Sequence, residues 1–477
     1  MEKLDSRTKW CYTIGATGRD AAYALVSMYL INYIQYTMKL TVAQFAAIST
    51  IMIVCLVWDA INDPLMGIII ENCRFKIGKY KPWIFSGAIL NALVIIALFS
   101  FRPTGWGFVA FFGISYLLWG MTFTMNDIAY WGMLPSLSSD PKERNTLVTL
   151  MSIFISVGQF AVAGIVPVVI AGNAVNAYRI VALCVALGFI AFQLLTTFGV
   201  RERHHAAEDN VEKLTLGGMF NIFKRNDQLV ASGIAAVLFF VGNNQLIFFG
   251  MNFFYFEFGY SNGGNLVFLF TVIYAVGTLL SQVTFPLITK IACRQKLLKI
   301  ISAVLFVAYM LFLSLGYVLP LNVTLIFILG FVIFYGQGLF SMIMTVMLNN
   351  TVEYDEYKFH ERHDSIISTV RSFSAKLASA LNQGIINLVL IVSGIYSISQ
   401  NISNLENQSA LGEIAKNEVL SKADYFISGA TSLQKFGLRM GIVLVPVIAI
   451  TISCIIFNTK YKITEEEYDR IRKEIAG

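Results

Sequence analysis

Long apolar runs alternate with short polar breaks along the whole chain. Runs long enough to cross a bilayer as helices, ~18 residues or more, lie near 11–36, 42–70, 82–101, 107–131, 147–171 and 178–199. A second set lies near 228–257, 264–289, 298–318, 322–349, 366–397 and 436–458. The pattern predicts an all-α protein with about twelve membrane-spanning helices. A polar break near 200–226 divides the runs six and six. The expected domains are an N-terminal six-helix bundle over 1–200, a linker over 201–226, a C-terminal six-helix bundle over 227–458 and a tail over 459–477.

Composition agrees with this pattern. Of 477 residues, 56% are hydrophobic and 13% charged, and the mean hydropathy is +0.67. Soluble domains carry about 25% charged residues, so the chain reads as a multi-pass integral membrane protein. The net charge of +6 is no nucleic-acid signal, because the basic residues sit in short loops and at the termini. Alternate loops hold most of them: Arg74, Lys76, Lys79 and Lys81; Lys142 and Arg144; Arg201 to Arg225; Lys290 to Lys299; Lys358 and Arg362. By the positive-inside rule, both termini and the central linker are expected in the cytoplasm, with the inner membrane of a bacterium as the expected location. No stretch resembles a cleavable signal peptide. The loop near 398–435 carries lysines on the other side, balanced by Glu406, Glu413, Glu418 and Asp424; a short surface helix is expected there.

The six cysteines form no CxxC pair and read as reduced apolar fillers. All four histidines fall in loops, which excludes a histidine-based zinc or catalytic site within the membrane. No span carries a Ser–His, Cys–His or metal constellation, so an enzyme is not expected, nor any bound cofactor.

Charges inside the spans carry the chemistry. The segment Trp58-Asp-Ala-Ile-Asn-Asp-Pro64 places Asp59, Asn62 and Asp63 at i, i+3 and i+4, on one helical face. A mid-membrane aspartate costs roughly 2.5–3.5 kcal/mol on insertion scales. Two on one face call for a partner, and three oxygen-bearing side chains suit a small hard cation or a proton. Pro64 removes a backbone donor, so a kinked or broken helix is expected at this point. Thr124 and Asp127 share a face of the fourth span, with Trp131 one turn further. A carboxylate beside an aromatic ring suits a sugar, with hydrogen bonds to hydroxyls and stacking on the C–H face; Trp131 could equally be an interfacial belt residue. Asp20 follows Arg19 in the first span; it either forms an ion pair with that arginine or faces a central cavity. In the eleventh span, Lys376 sits among Ala375, Ala378 and Ala380, while Arg371 lies nearer the end and can snorkel.

Six plus six helices around a linker is the pattern of the major facilitator fold, whose halves enclose a midplane site. The stretch Gly67 to Lys81 reads G-x-x-x-E-x-x-R-x-x-x-G-K-x-K, resembling that fold's signature loop.

Over nearly its whole length the chain resembles the glycoside–pentoside–hexuronide:cation symporters. The match is densest at Trp58–Pro64, at Gly78-Lys-Tyr-Lys-Pro-Trp83, at Leu118-Trp-Gly-Met-Thr-Phe-Thr-Met-Asn-Asp127, and at Tyr354-Asp-Glu-Tyr-Lys358 with Arg362 and Asp364-Ser-Ile366. The resemblance implies a cation site at Asp59, Asn62, Asp63 and Thr124. It implies a sugar site at Asp20, Asp127, Trp131, Lys376, Arg371 and Ser372. It implies an inner gate at Arg144, Tyr354, Asp355 and Arg362. The chain departs from the family where an arginine is expected early in span five (Ser152), where an aromatic hydroxyl is expected beside the cation-site threonine (Phe123), in span ten (Ser341) and just before the Trp-Asp motif (Leu56). The ion site is therefore expected intact and the sugar pocket remodelled.

The expected function is import of a glycoside or oligosaccharide with co-transported Na+ or H+, sodium favoured because Asn62 offers a neutral oxygen. The partners expected are the sugar, the monovalent cation and the lipid bilayer, the protein acting as a monomer. A lysolipid symporter on the same fold and a non-transporting sugar sensor are the alternatives.

Overall fold

The computed structural model describes residues 4–476 apart from 74, 76, 139, 203–223 and 360–363, and all their side chains except those of 56, 57, 60, 61, 64, 71, 141, 364–369, 372 and 476. Among these residues the structure is helical throughout, with a single isolated β-bridge between Leu315 and Leu319. The chain divides into two compact units. The first comprises Met1–Glu212, Phe254–Phe268 and Leu390–Thr431; the second comprises Lys213–Phe253, Leu269–Val389 and Ser432–Gly477.

In the first unit, helix starts are set by polar caps. The carboxylate of Asp5 accepts from Thr8 N to open α1 (Ser6–Thr37). Thr41 and Gln44 form a reciprocal capping box that opens α2 (Val42–Asn72). A proline in the first turn supports α3 (Lys81–Ser100), and α4 runs Gly105–Leu137. Asp140 caps α5 (Pro141–Ile170), and α6 runs Ala174–Gly199. Helix α1 packs on α5 and α6, α3 on α4 and α6, and α2 on α4. Small residues allow the close approaches. A Cβ on Gly158 of α5 would lie 2.2 Å from the Thr17 carbonyl oxygen of α1, so that crossing admits no side chain.

The second unit contains α7 (Asp227–Phe248), the start of α8 (Gly250–Phe258), most of α9 (Tyr260–Ile288), α10 (Arg294–Ser314), α11 (Val323–Asn349), α12 (Thr351–Phe359) and most of α13 (Asp364–Val392). The chain then returns to the first unit as α14 (Ile395–Ala410) and α15 (Lys416–Ser428), and ends in the second with α16 (Ser432–Thr459) and α17 (Glu465–Ala476). Within the second unit α7 packs on α16, α10 on α11 and α16, and α12 on α17.

Ten helices among the described residues are long and apolar enough to cross a membrane by length and composition. The first two are also long enough, at 32 and 31 residues, and they carry Asp20, Asp59 and Asp63. Three expectations change. Of the kinked or broken helix expected at position 64, the break is not seen: α2 is helical through it, since a proline costs one backbone bond and the flanking turns can continue the helix. The run at 228–257 is two helices interrupted at Phe249. The stretch near 398–435 is not a loop with one short helix but a packed pair, α14 and α15, whose Glu406 and Asp424 reach into the first unit.

Candidate functional site

Two polar clusters lie on α4 within the first unit, one turn apart. The first faces α2. Thr124 is buried and its hydroxyl donates to Asp63 Oδ1 at 2.9 Å. One turn earlier on the same face of α4 stands Gly120. A Cβ there would lie 2.8 Å from Asp59 Oδ1, so the absent side chain makes room for the Asp59 carboxylate against the α4 backbone. Helix α4 therefore supports both aspartates of α2, one through a hydroxyl and one through a gap. Asn62 is buried between them in sequence, and its Nδ2 has no hydrogen-bond partner. Tyr23 of α1 packs against Trp119 and Phe123 of α4, with ring centroids 6.0 and 5.1 Å apart, giving the cluster an apolar wall.

The donor chemistry fits a hard cation. Two carboxylates, an amide oxygen and a hydroxyl are all oxygen ligands, with no sulfur or imidazole to favour a softer ion. A proton needs only the carboxylates.

The second cluster joins α1, α4 and α5. Arg19 is 2% exposed. Its Nε and Nη2 donate to Asp20 Oδ2 at 3.0 and 2.7 Å, and its Nη1 lies 3.1 Å from Asp127 Oδ1. The guanidinium carbon also sits 4.7 Å from the Tyr130 ring centroid and 5.6 Å from that of Trp131, within cation–π range. Asp20 Oδ1 accepts from Gln159 Nε2 at 3.3 Å. Asp20 is thus held on both oxygens, whereas the Asp127 side chain is 25% exposed and Trp131 is 40% exposed. Of this cluster, Asp127 and Trp131 present the open surface, and Arg19 with Asp20 stands behind it.

A rigid frame holds the two clusters in register. Tyr12 and Tyr130 stack at 4.7 Å, and each hydroxyl donates to the other's carbonyl oxygen. Asn126, fully buried, donates to Ile84 O and to Gln193 Oε1, and Gln193 donates to Gly15 O. These bonds tie α1, α3, α4 and α6 together around the stretch between Thr124 and Tyr130.

The sequence-derived sites can now be placed. Asp63 and Thr124 are in contact, and Asp59 meets the same helix at Gly120. Asp20, Asp127 and Trp131 gather around Arg19, and Asp20 forms an ion pair with that arginine. Lys376 and Arg371 lie on α13 in the second unit, half-buried and exposed respectively. The Ser372 side chain and Arg362 lie outside the described residues.

Of the expected gate, Tyr354 donates to Asp227 Oδ1 at 3.1 Å, and Lys358 donates to both Tyr354 Oη and Asp227. Asp355 is buried, accepting from Asn226 at 3.3 Å with Arg225 at 4.0 Å. These bonds bind α12 to the start of α7 inside the second unit. Arg144 lies in the first turn of α5, in the first unit, where its backbone N donates to Asp140 O.

Sequence reasoning missed Gly120 and Gln159 and underrated Arg19. A glycine one turn before Thr124 was a readable signal for the first. Nothing in the sequence tied Gln159 on α5 to Asp20 on α1.

Residues 11–465 match the family model described as MFS/sugar transport protein. The chain is 23% identical to a lactose permease of Lactobacillus helveticus, over 98% of this chain and 71% of that protein. It is 23% identical to a raffinose carrier protein of Pediococcus pentosaceus, over 80% of this chain but 62% of that protein, so it spans less than two thirds of that relative's length. It is 24% identical to a putative glycoside/cation symporter of Escherichia coli, over 85% and 87%. In fold it is similar to an inward-facing bacterial homologue of the human lysosomal transporter Spinster, with a TM-score of 0.69 at 13% identity over 98% of this chain and 99% of that one. The ten candidate spans, the all-helical structure and the family match over most of the chain identify it as a membrane transporter, not an enzyme: it belongs to the MFS/sugar transport protein family, the glycoside–pentoside–hexuronide:cation symporters of the major facilitator superfamily.

Proposed function

We propose that the protein imports a glycoside or oligosaccharide together with a monovalent cation, sodium in preference to a proton, by alternating access. The observation that carries this reading is the Thr124–Asp63 hydrogen bond. It joins the most charged face of α2 to the helix that also bears Asp127 and Trp131. In the proposed cycle the cation is held by Asp59 and Asp63, with the oxygens of Asn62 and Thr124 completing its shell. Binding removes the repulsion between two carboxylates a single turn apart and draws α2 onto α4. Thr124 and Asp127 are three residues apart, about 4.5 Å along the helix axis, so a shift at one is felt at the other. Asp127 then accepts hydrogen bonds from sugar hydroxyls while Trp131 stacks on the ring's C–H face. Coupling is reciprocal: the cation tightens sugar and the sugar tightens the cation by the same factor.

Asn62 and Thr124 support sodium, since they add neutral oxygens that a proton carrier does not need. The proposed orientation has both termini in the cytoplasm, with α12 and the start of α7 near the inner gate. No resident cofactor is required, and a single chain carries both clusters.

The test is uptake of a glycoside panel into proteoliposomes under an imposed sodium gradient, an imposed proton gradient, or neither. Accumulation above equilibrium is expected with inward sodium. Uptake indifferent to both gradients would remove symport from the reading.

A further inference from the structure

Helix α3 begins without a cap of its own. Tyr80, in the cap position, makes no side-chain bond to the helix start, and Pro82 has no N–H to offer. The cap comes instead from Glu202, just past the end of α6. Its carboxylate accepts from Lys79 N at 2.7 Å, Tyr80 N at 3.3 Å and Lys81 N at 2.9 Å. Gly78 makes this approach possible. Its φ is 130°, and a Cβ there would lie 2.6 Å from Glu202 Oε2. The clasp aims Tyr80 at α4. A Cβ on Gly132 would lie 2.8 Å from a carbon of the Tyr80 ring, and the ring packs on the buried cluster that contains Tyr130 and Met133. Tyr80 therefore braces the stretch of α4 in which Trp131 stands.

We propose that Glu202 is a positioning residue of the sugar site: through Tyr80 it fixes where α4 presents the Trp131 ring. This rests on the sugar-site reading of Asp127 and Trp131. Glu202 itself touches no cargo. A carboxylate suits the task better than a neutral acceptor, because it meets three converging N–H groups with two charged oxygens. Thr124, the nearer end of the cation cluster on α4, is about 12 Å of helix axis away from Gly132. The Asn126 bonds to Ile84 O and Gln193 lie between the two. Loosening the clasp should therefore weaken sugar binding and leave sodium binding alone. A merely structural clasp would lower both affinities together.

The experiment compares wild type, Glu202→Ala, Glu202→Gln, Tyr80→Ala and the double variant Glu202→Ala/Tyr80→Ala. Methyl β-glucoside, β-galactoside and β-xyloside are screened for binding at saturating sodium, and the tightest serves as probe. Sodium affinity is titrated separately by calorimetry, without sugar. Glu202→Ala and Tyr80→Ala should each raise the probe's dissociation constant roughly three- to tenfold, the size of a lost aromatic contact. Their sodium constants should stay within about twofold of wild type. Glu202→Gln keeps one acceptor oxygen at the right reach and should fall between. The double variant should bind no more weakly than Tyr80→Ala alone, because both changes act along one path. Should Glu202→Ala not fold, Glu202→Gln and Tyr80→Ala carry the same comparison. Wild-type sugar affinity in the Glu202 variants, a parallel fall in sodium affinity, or losses that add in the double variant would overturn the proposal. Trp131→Ala separates the two readings. If it binds the probe as wild type does, or wild type binds no glycoside, the sugar-site reading fails and takes this one with it. If it loses affinity while the Glu202 variants do not, only the positioning role falls.

Discussion

Buried carboxylates occur in two regions of the first unit, and they are treated differently. Around α4, Asp20 and Asp127 share one guanidinium, and Asp63 has the Thr124 hydroxyl. Asp59, Asp63 and Asp127 are each left partly open. In the α14–α15 pair, Glu406 is fully buried and surrounded by neutral donors: Gly172 N at 2.8 Å, Ala174 N at 2.6 Å and the Tyr260 hydroxyl at 2.8 Å. Those two backbone donors sit at the start of α6, where helix N–H groups lack intrahelical partners. Nearby, Asp424 does the same for the start of α9, accepting from Tyr260 N and the Ser261 hydroxyl. A carboxylate saturated by fixed donors is a fastener. The carboxylates of Asp59, Asp63 and Asp127 keep an open edge instead, which is what the proposed cation and sugar sites require. On the proposed reading, the same side-chain chemistry serves for holding where it is sealed and for carrying where it is left open.

The sharpest way to break the comparison is to remove an α2 carboxylate. Asp59→Cys is expected to abolish gradient-driven accumulation, leaving only equilibration, while some sugar binding survives at Asp127 and Trp131. Accumulation at the wild-type level would place the cation elsewhere.

A subtler change leaves every charge in place. Gly120→Ala puts a methyl 2.8 Å from Asp59 Oδ1, so this side-chain carboxylate of α2 must turn or move away from α4. Overpacking of this kind costs roughly 1–3 kcal/mol, so sodium affinity should fall about tenfold or more. Sugar affinity measured without sodium should hardly change. An unchanged sodium titration would show that Asp59 does not lean on α4 when the cation binds.

The spans themselves were legible because hydrophobic length is a one-dimensional property of the chain, and helices satisfy their own backbone in lipid. The face shared by Asp59, Asn62 and Asp63 was legible for the same reason, since it depends on spacing within one helix. Contacts between helices were not. Gln159 meets Asp20 across 139 residues, and Arg19, beyond its neighbour Asp20, reaches Asp127 on another helix; no periodicity encodes either. Helices α14 and α15 were read as a loop because they are polar and short. Their stability comes from what they pack against: Tyr396 stacks on Phe45 at 4.2 Å, and Asn407 and Arg102 both bind the Thr37 carbonyl.

Glu406→Gln sharpens the other side of the comparison and should have the smallest effect of the three. The amide keeps one acceptor but turns an N–H₂ toward a backbone N–H, a mismatch worth about 1–3 kcal/mol. Transport should persist with a modestly lower melting temperature. The pH dependence separates this carboxylate from others. Burial pushes the Glu406 carboxyl above its ordinary value, against the opposing pull of the Ala174, Tyr260 and Gly172 bonds and the charge of Lys416. Between the ordinary value of 4.5 and the raised folded one, the folded state holds the proton and the unfolded state does not. Glu406's contribution to stability is therefore greatest below 4.5 and declines as pH rises through the folded value. Melting temperatures in detergent, measured for both proteins from neutral pH downward, should show wild type gaining on the Gln variant as the pH falls. Parallel profiles would mean that the fixed donors around Glu406 hold its charge as readily as water does, and that saturation by neutral groups is not what distinguishes the fastener from the carrier.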